Sequence, residues 1–499
     1  MLNSFLILPS ALFVLSILYI FHFRLRSVGS EPPLIKGSIP VLGVALSFLF
    51  DPGTLLETIR KQHGWIYTLY VGGRRMTVVS DPVIGMKQVW TQGRTFNAQS
   101  FFTFLNKQLF GYSDAINYDE QFQDALRTAA VQMLSNKLKM ASVVEKLREI
   151  FKGLVDEKSG FCETEEVIDL YTFARYNMYS ASAIALFGTS FPVQELYQDY
   201  ITFEDNMMSY IRNIPRILNR SGYKARDRVL KLLGDFFMDD EKVALSSDFV
   251  RVLCEQFKKP EFGHTRAEDF AGYFLSIVFA SKSNSVPAAF WYIANVVGDP
   301  ELKVEIERVI AGNYNRETGS FDWDALFEDK VLVSCFKETT RLVSNVTSGR
   351  YVTRDTMLKV ADPLHPGTDG KESVKEYHLR KGDSVLLLGN LVHWDAEAYP
   401  EPMRWIGKRF LEENSGTLVK HADEWRSYVP WGGGGHMCPG RRLALTEAVV
   451  QCVYVLWYFD VEPIDTVPEM FIKDKYGAGA ARPEKPFHVK FRRRTVPLA

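Results

Sequence analysis

The chain has 499 residues, of which 46% are hydrophobic and 24% are charged, and its formal net charge is -1. This composition supplies enough apolar material for a large core. The near-neutral charge, with no basic cluster beyond Arg492–Arg494, excludes nucleic acid as an expected partner. The five cysteines are scattered and odd in number, which does not indicate a disulfide framework, so most of the chain is expected in a reducing compartment.

The N-terminal segment predicts a membrane anchor over residues 1–26. Residues 1–23 contain no Asp, Glu, Lys or Arg, and this apolar run approaches the ~20 residues that cross a bilayer. Arg24 and Arg26 follow it directly, which places the rest of the chain on the cytosolic side. The alternative is a cleaved signal peptide, but a positive n-region and a small-residue cleavage site are both missing.

A stiff hinge is predicted after the anchor, over residues 27–45, because prolines and glycines disfavour a helix there. The remaining residues, 46–499, have no long linker and no internal repeat, so we expect one large globular domain. Its patterns predict a mainly α fold with small β-sheets. The segments expected to be strands are 65–70 and 76–79, joined by a Gly72-Gly73 turn, and 349–353 and 377–388.

The longest apolar helical pattern, residues 269–300, is interrupted by five polar residues at 281–285 and by Pro287. Proline cannot donate a hydrogen bond to the carbonyl of Ser283, so we expect the helix to kink there. A buried polar notch is costly unless something satisfies it. The notch therefore indicates a functional site, and the alternative is a water-filled packing defect.

A second helical pattern, residues 331–341, places Glu338 and Arg341 three positions apart on one face. Such pairs are common, and taken alone this one indicates only a surface ion pair.

The segment Tyr428–Glu447 contains four glycines, 432–435, followed by His436, Met437 and Cys438. Glycine has no Cβ, so the run permits close approach of the backbone to something flat or bulky. Cys438 lies just before a predicted helix, where the dipole is expected to lower the thiol pKa and favour the thiolate. A lone cysteine argues against structural zinc and leaves haem iron on one cysteinate. The alternative is a glycine-rich loop with a buried cysteine.

The spacing of Trp431, Gly434, His436, Cys438 and Gly440 resembles the haem-binding motif of the cytochrome P-450 superfamily. The resemblance implies haem b as cofactor, with Cys438 as the axial ligand of its iron. Trp431 replaces the usual Phe, and His436 replaces the usual Arg, which pairs with a haem propionate.

Other parts of the chain resemble the same superfamily in order and spacing. Glu338, Arg341 and Arg409 match a buried ion network, and Arg127 matches an arginine that contacts a haem propionate, although Gln123 stands where a Trp is usual. The resemblance therefore implies the cytochrome P-450 fold, preceded by a transmembrane helix.

The notch resembles the branch that contains sterol 7α- and 12α-hydroxylases and prostacyclin synthase, because Ser283 and Asn284 replace the usual acid and Thr. This implies an endoplasmic reticulum monooxygenase, single-pass with its catalytic domain in the cytosol. Ser283 and Asn284 are the expected catalytic residues beside bound oxygen. The substrate is expected to be a sterol, triterpenoid or similar polycyclic lipid.

Electrons are expected from NADPH through a separate reductase, since no dinucleotide-binding motif follows a predicted strand. Two alternatives remain open. One is a haem-thiolate isomerase or dehydratase that rearranges an oxygenated lipid without a reductase, and the other is a non-catalytic haem-binding or membrane protein.

Overall fold

The computed structural model describes residues 29–39, 42–161, 165–345, 347–362, 373–412, 427–470, 479–494 and 498. The predicted anchor over residues 1–26 lies outside these ranges. In the part of the chain that is described, no helix combines the length and the apolar character that a bilayer crossing requires.

Helices make up most of the described chain, as the sequence predicts. They are α1 Ala45–Phe50, α2 Pro52–His63, α3 Gly85–Thr91, α4 Gln99–Leu105, α5 Asp114–Asn117, α6 Glu120–Leu134, α7 Lys137–Phe161, α8 Leu170–Phe187, α9 Val193–Asp205, α10 Met207–Ile211, α11 Arg220–Phe237, α12 Asp240–Ala244, α13 Asp248–Lys258, α14 Ala267–Lys282, α15 Ser285–Gly298, α16 Pro300–Gly312, α17 Trp323–Glu328, α18 Lys330–Val343, α19 Gly389–His393 and α20 Arg441–Tyr458.

The strands are short and form small sheets. They are β1 Leu34–Ile35, β2 Ile66–Val71, β3 Arg74–Val79, β4 Phe96–Asn97, β5 Glu166–Asp169, β6 Tyr314–Asn315, β7 Ser320–Phe321, β8 Thr347–Val352, β9 Thr356–Ala361, β10 Val374–Leu379, β11 Ser384–Leu388, β12 Phe459–Pro463 and β13 His488–Arg493. One sheet has the order β1-β2-β3-β11-β8-β4, and the others are β10-β9, β12-β13-β5 and β6-β7. The mainly α fold with small sheets is confirmed.

The largest hydrophobic cluster surrounds α8, α15 and α20, and it positions the site. Helix α15 is buried from Val286 to Val297, which explains its almost uniformly apolar sequence. Helix α20 is buried from Glu447 to Leu456, so its N-terminal turns, which follow Cys438, are the more open part.

The predicted break in the long apolar helix is confirmed. Helix α14 ends at Lys282 and α15 begins at Ser285. The helical hydrogen bonds are intact on both sides, since Ser283 N–H bonds to Phe279 O at 2.9 Å and Ala288 N–H to Asn284 O at 3.1 Å. Pro287 lies in the first turn of α15, where its missing N–H is tolerated.

Candidate active site

The cysteine loop holds Cys438 in a defined turn directly before α20. The backbone N–H of Cys438 donates to the carbonyl of Trp431 at 2.9 Å, which closes the loop. A short 3-10 turn, Gly434–His436, leads into the cysteine, and α20 begins at Arg441. Cys438 is only half-buried, whereas Cys254, Cys335 and Cys452 are buried, so Cys438 is the open thiol among the described cysteines.

The glycines of this loop accommodate a neighbouring aromatic side chain. A Cβ on Gly433 would collide with the indole ring of Trp90 on α3, and a Cβ on Gly434 would meet the Trp90 carbonyl oxygen at 2.6 Å. Gly434 also has a φ of +62°, which favours glycine. The close approach expected of this run is therefore observed, and Trp90 is one of the groups that require it.

The electrostatic surroundings of Cys438 contradict the expectation that its thiol pKa is lowered. Burial raises the pKa of the thiol, and this outweighs the lowering by the backbone N–H groups of Gly440 and Arg441 and by the charge of Arg441. The expected net lowering by the helix terminus is therefore wrong, because desolvation of the thiolate is the larger effect. A bound iron cation would supply the positive charge that stabilises the thiolate.

Three basic side chains are grouped beside the loop. Arg127 donates from Nη1 to the carbonyl of Gly435 at 2.9 Å and from Nη2 to Asp124 Oδ1 at 3.0 Å, which places it beside the loop. Arg350 on β8 is buried, and it donates to Ser348 Oγ and Gly349 O, each at 2.8 Å. Burial, together with Arg350 and Arg127, lowers the pKa of His436 to about 4. The positive charge beside the loop thus comes from the arginines, and His436 is a neutral imidazole.

Sequence reasoning missed Arg350. The available signal was an arginine within a short strand, a position that the alternation of side chains turns toward the interior. The position where the superfamily usually has a Trp holds Gln123, whose Nε2 donates to Ile116 O at 2.8 Å. Gln123 thus fixes the segment before α6.

These residues fit a haem. The single thiol has backbone N–H donors beside it, and the arginines suit two propionate groups. Among the described residues, no cluster of three or more His, Cys, Asp or Glu side chains could hold a bare metal ion. The donor set therefore matches an iron macrocycle better than a zinc or calcium site.

The predicted ion network is confirmed in geometry. The Glu338 carboxylate accepts from Arg341 at 2.8 and 2.9 Å and from Arg409 Nε at 2.9 Å, and all three side chains are fully buried. The remaining guanidinium N–H groups donate to backbone carbonyls, including His393 O at 2.5 Å and Pro400 O at 2.7 Å. The surface-pair alternative is therefore excluded. The N-terminus of α18, which holds Glu338 and Arg341, is capped by the Asp329 carboxylate.

The helix break faces the segment Gly479–Ala481. Asn284 Oδ1 accepts from the Ala480 N–H at 2.8 Å, and Trp291 Nε1 donates to Ala481 O at 2.8 Å. A backbone N–H can only donate, so this bond fixes which end of the Asn284 amide faces Ala480. Its Nδ2 hydrogens therefore remain to donate elsewhere.

An open space borders the same helix face. Ala280 is exposed and Asn284 is half-buried, although the neighbouring Val278, Lys282 and Val286 are buried. Residues four positions apart share a face of a helix, so the opening lies along the line from Ala280 to Asn284.

An aromatic group surrounds Phe279 on α14. The rings of Phe110 and Phe203 lie 5.3 and 6.2 Å from that of Phe279, which immediately precedes Ala280. Phe203 is fully buried and Phe279 is half-buried, so this group packs one position before the exposed Ala280.

An ion cluster that the sequence did not predict joins α9 to the segment after Ala481. Glu204 is buried, and its carboxylate lies 2.8 Å from Arg175 and 2.9 Å from Arg482. Arg482 also contacts Asp205 at 2.8 Å. The segment 479–482 is therefore bonded both to the helix break and to the end of α9.

The cysteine loop, the buried Glu338 network and the broken helix define a haem-thiolate protein. Residues 32–491 match the family described as cytochrome P-450, and the chain belongs to this family. It is a cytochrome P-450 monooxygenase, an oxidoreductase whose cofactor is haem b.

Similar proteins include sterol hydroxylases. The chain is 27% identical over 484 residues to cytochrome P-450 7B1 of Mus musculus, covering 93% of this chain and 90% of the relative. It is 28% identical to 7-alpha-hydroxycholest-4-en-3-one 12-alpha-hydroxylase of Oryctolagus cuniculus, covering 93% of each chain. Cholesterol 7-alpha-monooxygenase of Cricetulus griseus is 24% identical, with 93% and 94% covered. The predicted resemblance to this branch is confirmed.

Proposed function

We propose that the chain is a membrane-associated monooxygenase that hydroxylates a sterol, triterpenoid or similar bulky polycyclic lipid. Its electrons would come from NADPH through a separate reductase. The substrate class is supported by the similar proteins, which are named as hydroxylases acting on 7-alpha-hydroxycholest-4-en-3-one and cholesterol.

The observation that supports this function best is the open space at the helix break. It is bordered by the exposed Ala280 and the half-buried Asn284, and the aromatic group around Phe279 lies one position before Ala280. An apolar cavity with a few convergent polar groups is the usual form of a small-molecule site. A rigid polycyclic lipid suits such a site because it loses little conformational freedom on binding.

The site residues have separate roles in this proposal. Cys438 holds the iron, and the thiolate-ligated haem supplies oxygen activation when it is bound. Arg127, Arg350 and His436 orient the macrocycle by its propionates, and the loop of Trp431, Gly434 and Gly440 shapes its contact surface. Asn284 donates from Nδ2 to a water or to an oxygen of the ligand, and Ser283 provides a hydroxyl beside it.

Membrane association is supported by the apolar sequence of residues 1–26 and by two exposed apolar segments of the described chain. Helix α1 buries none of its residues and exposes Leu46, Leu49 and Phe50. Ile217 and Leu218, between α10 and α11, are 68% and 75% exposed. Exposed apolar patches of this kind mark contact surfaces. We therefore propose an endoplasmic reticulum anchor at 1–26, a hinge at 27–45 and a cytosolic catalytic domain at 46–499.

The test is turnover of candidate sterols with labelled dioxygen, NADPH and reductase, with product identified by mass. A lipid that first shifts the haem absorption spectrum selects the candidate. One labelled oxygen atom in the product is expected, and omission of reductase should abolish its formation. An unlabelled product, or one that forms equally well without reductase, would instead establish the isomerase alternative.

A further inference from the structure

The last residue of α14 is a buried lysine that the proposed chemistry has not used. Lys282 is 1% exposed, and its Nζ has no hydrogen-bond partner within the described residues. It precedes Asn284 by two positions, about 200° around a helix, so it faces away from the open space. A lysine is almost never buried without a partner, because its charge loses hydration.

The surroundings of Lys282 are polar and come from three other helices. The Tyr179 ring on α8 lies 5.9 Å from Nζ. The charge of Glu447 on α20 favours the protonated form of Lys282 and so raises its pKa. Ser182 on α8 and Ser285 on α15 lie beside the Glu447 carboxylate and lower its pKa. Tyr179 remains neutral because burial raises its pKa, so Glu447 is the charged group that acts on Lys282 among the described residues.

Lys282 and Glu447 interact through their charges but form no direct hydrogen bond. Among the described residues, neither the buried Glu447 Oε1 nor the buried Lys282 Nζ has a hydrogen-bond partner, so the two are not directly bonded. A polar gap between two buried groups of opposite charge is a site for bridging water. Burial lowers the pKa of Lys282 to about 7 and raises that of Glu447, and each group partly offsets the shift of the other.

We propose that Lys282 and Glu447 share a water-linked proton behind the helix break, and that Lys282 supplies this proton to the notch during turnover. The inference rests on the proposed monooxygenase function. Ser283 and Asn284 can relay a proton but cannot release one near neutral pH. Ser283 is next in the chain, and its buried Oγ has no hydrogen-bond partner in the part of the chain that is described. Its carbonyl is not used by Pro287, which has no N–H. The hydroxyl is thus available to pass a proton through the turn.

The step balances within the overall reaction. Hydroxylation consumes the lipid, O2, two electrons and two protons, and it yields the alcohol and water. The electrons come from NADPH through the reductase. One N–H bond of the Lys282 ammonium breaks as the proton leaves, and the neutral amine then takes a proton from Glu447 or from solvent through the bridging water. Lys282 acts through water and Ser283, so it is a positioning and proton-supplying residue.

Substitutions at Lys282 separate proton supply from charge compensation. Lys282→Met removes both, whereas Lys282→Arg keeps the charge but cannot lose a proton. Lys282→Gln provides a second neutral variant if either of these accumulates poorly. Lys231→Met, which removes an exposed lysine on α11, is the matched control. Haem content and the substrate-induced spectral shift should match wild type in all variants.

Product formed per NADPH should fall by roughly 10²-fold in Lys282→Met, Lys282→Gln and Lys282→Arg, with peroxide increasing, as expected for a lost acid–base group. Wild-type coupling should decline as the pH rises through about 7, where the amine loses its proton, and this dependence should vanish in the variants. Full coupling in Lys282→Arg would show that only charge is needed. Normal coupling and an unchanged pH profile in Lys282→Met would equally overturn the proposal.

A readout independent of turnover is the pH dependence of thermal unfolding. The folded protein holds the Lys282 proton less tightly than the unfolded chain, so unfolding takes up protons between about pH 7 and 10.5. The free energy of unfolding of the wild type should therefore contain a contribution that rises with pH across this window. Lys282→Met and Lys282→Arg should lack this contribution. If the wild type lacks this pH dependence, Lys282 does not titrate as proposed, whatever reaction the enzyme performs. Failure of the labelled-dioxygen test alone would refute only the monooxygenase assignment.

Discussion

Two buried carboxylates show how differently this protein treats charge in its interior. Glu338 lies between Arg341 and Arg409, with contacts of 2.8 to 2.9 Å. Glu447 faces Lys282 across a gap, and one of its oxygens has no hydrogen-bond partner among the described residues. Both carboxylates are almost completely buried, so the contrast lies in their partners and not in their depth.

This difference in partners separates carboxylates that support the fold from carboxylates that can change their protonation. A buried ion network with every donor and acceptor satisfied keeps its charge state and fixes the elements that it joins. A buried pair with unsatisfied atoms has shifted pKa values, and such groups cluster at functional sites. The Glu338 region thus supports the fold beside the cysteine loop, whereas the Lys282 region can change protonation during a reaction.

The largest effect is expected from breaking the satisfied network. Glu338→Ala or Arg341→Ala leaves a buried charge without its partner, at a cost of roughly 3–5 kcal/mol. Little folded holoprotein should accumulate, as measured by soluble yield and haem content. Lys61→Ala, which breaks an exposed pair with Glu57, is the control and should accumulate normally. Normal haem content in Glu338→Ala would contradict the structural role.

The next effect is confined to the metal ligand. Cys438→Ser should retain the fold, because the loop is closed by the backbone bond to Trp431, but it should lose the red-shifted carbon-monoxide band of the reduced protein. The matched control, Cys452→Ser, lies on α20 away from the open thiol and should keep the band. A Cys438→Ser protein that retains the band would place the axial ligand elsewhere.

Asn284 tests the open side of the helix break. Asn284→Ala removes both the tether to Ala480 and the Nδ2 donor, and turnover should slow by about 10²-fold with more peroxide. Asn284→Asp keeps an oxygen that accepts from Ala480 but lacks the donor. Equal losses in the two variants would assign the effect to donation, and recovery in Asn284→Asp would assign it to the tether. Unchanged turnover in both would remove Asn284 from the mechanism.

A smaller effect is expected at the ion cluster that holds the segment 479–482. Arg482→Leu leaves Glu204 with one of its two arginine partners, Arg175, which should loosen the end of α9. Substrate affinity, measured by the spectral shift, should weaken about tenfold, or ~1.4 kcal/mol. Arg482→Lys preserves a cation and should lose less. An unchanged Kd in Arg482→Leu would show that this cluster does not act on binding.

The smallest effect on the site is expected from removing the N-terminal segment. A chain lacking residues 1–26 should bind haem normally, because the site residues lie in the domain predicted at 46–499. Its membrane attachment should weaken without disappearing, since Phe50, Ile217 and Leu218 stay exposed. Loss of haem at normal expression would contradict the predicted domain boundary.

The sequence predicted the parts of the site that depend on local spacing. The cysteine loop, the Glu338–Arg341 pair and the helix break each follow from residues within a few positions of one another. Partners that are distant in the chain were not predictable from spacing. Arg350 and Trp90 reach the loop from other elements. Glu447 acts on Lys282 because α20 packs against α15, which begins three residues after Lys282. The prediction that the pKa of Cys438 is lowered was wrong for the same reason, because the burial that raises it depends on tertiary packing.

Because Trp90 packs on the cysteine loop, the glycines of this loop differ in the substitutions that they can accept during evolution. At Gly435, a methyl group would meet Arg127 Nη1 alone among the described residues, at an ordinary contact distance of 3.7 Å, so the protein packing there can tolerate alanine. At Gly433 the indole ring occupies the space that a methyl group would need. Gly433→Ala therefore becomes acceptable only when position 90 has already lost its large ring. Among descendants of this chain, changes at positions 90 and 433 should be epistatic, whereas changes at 435 should accumulate independently.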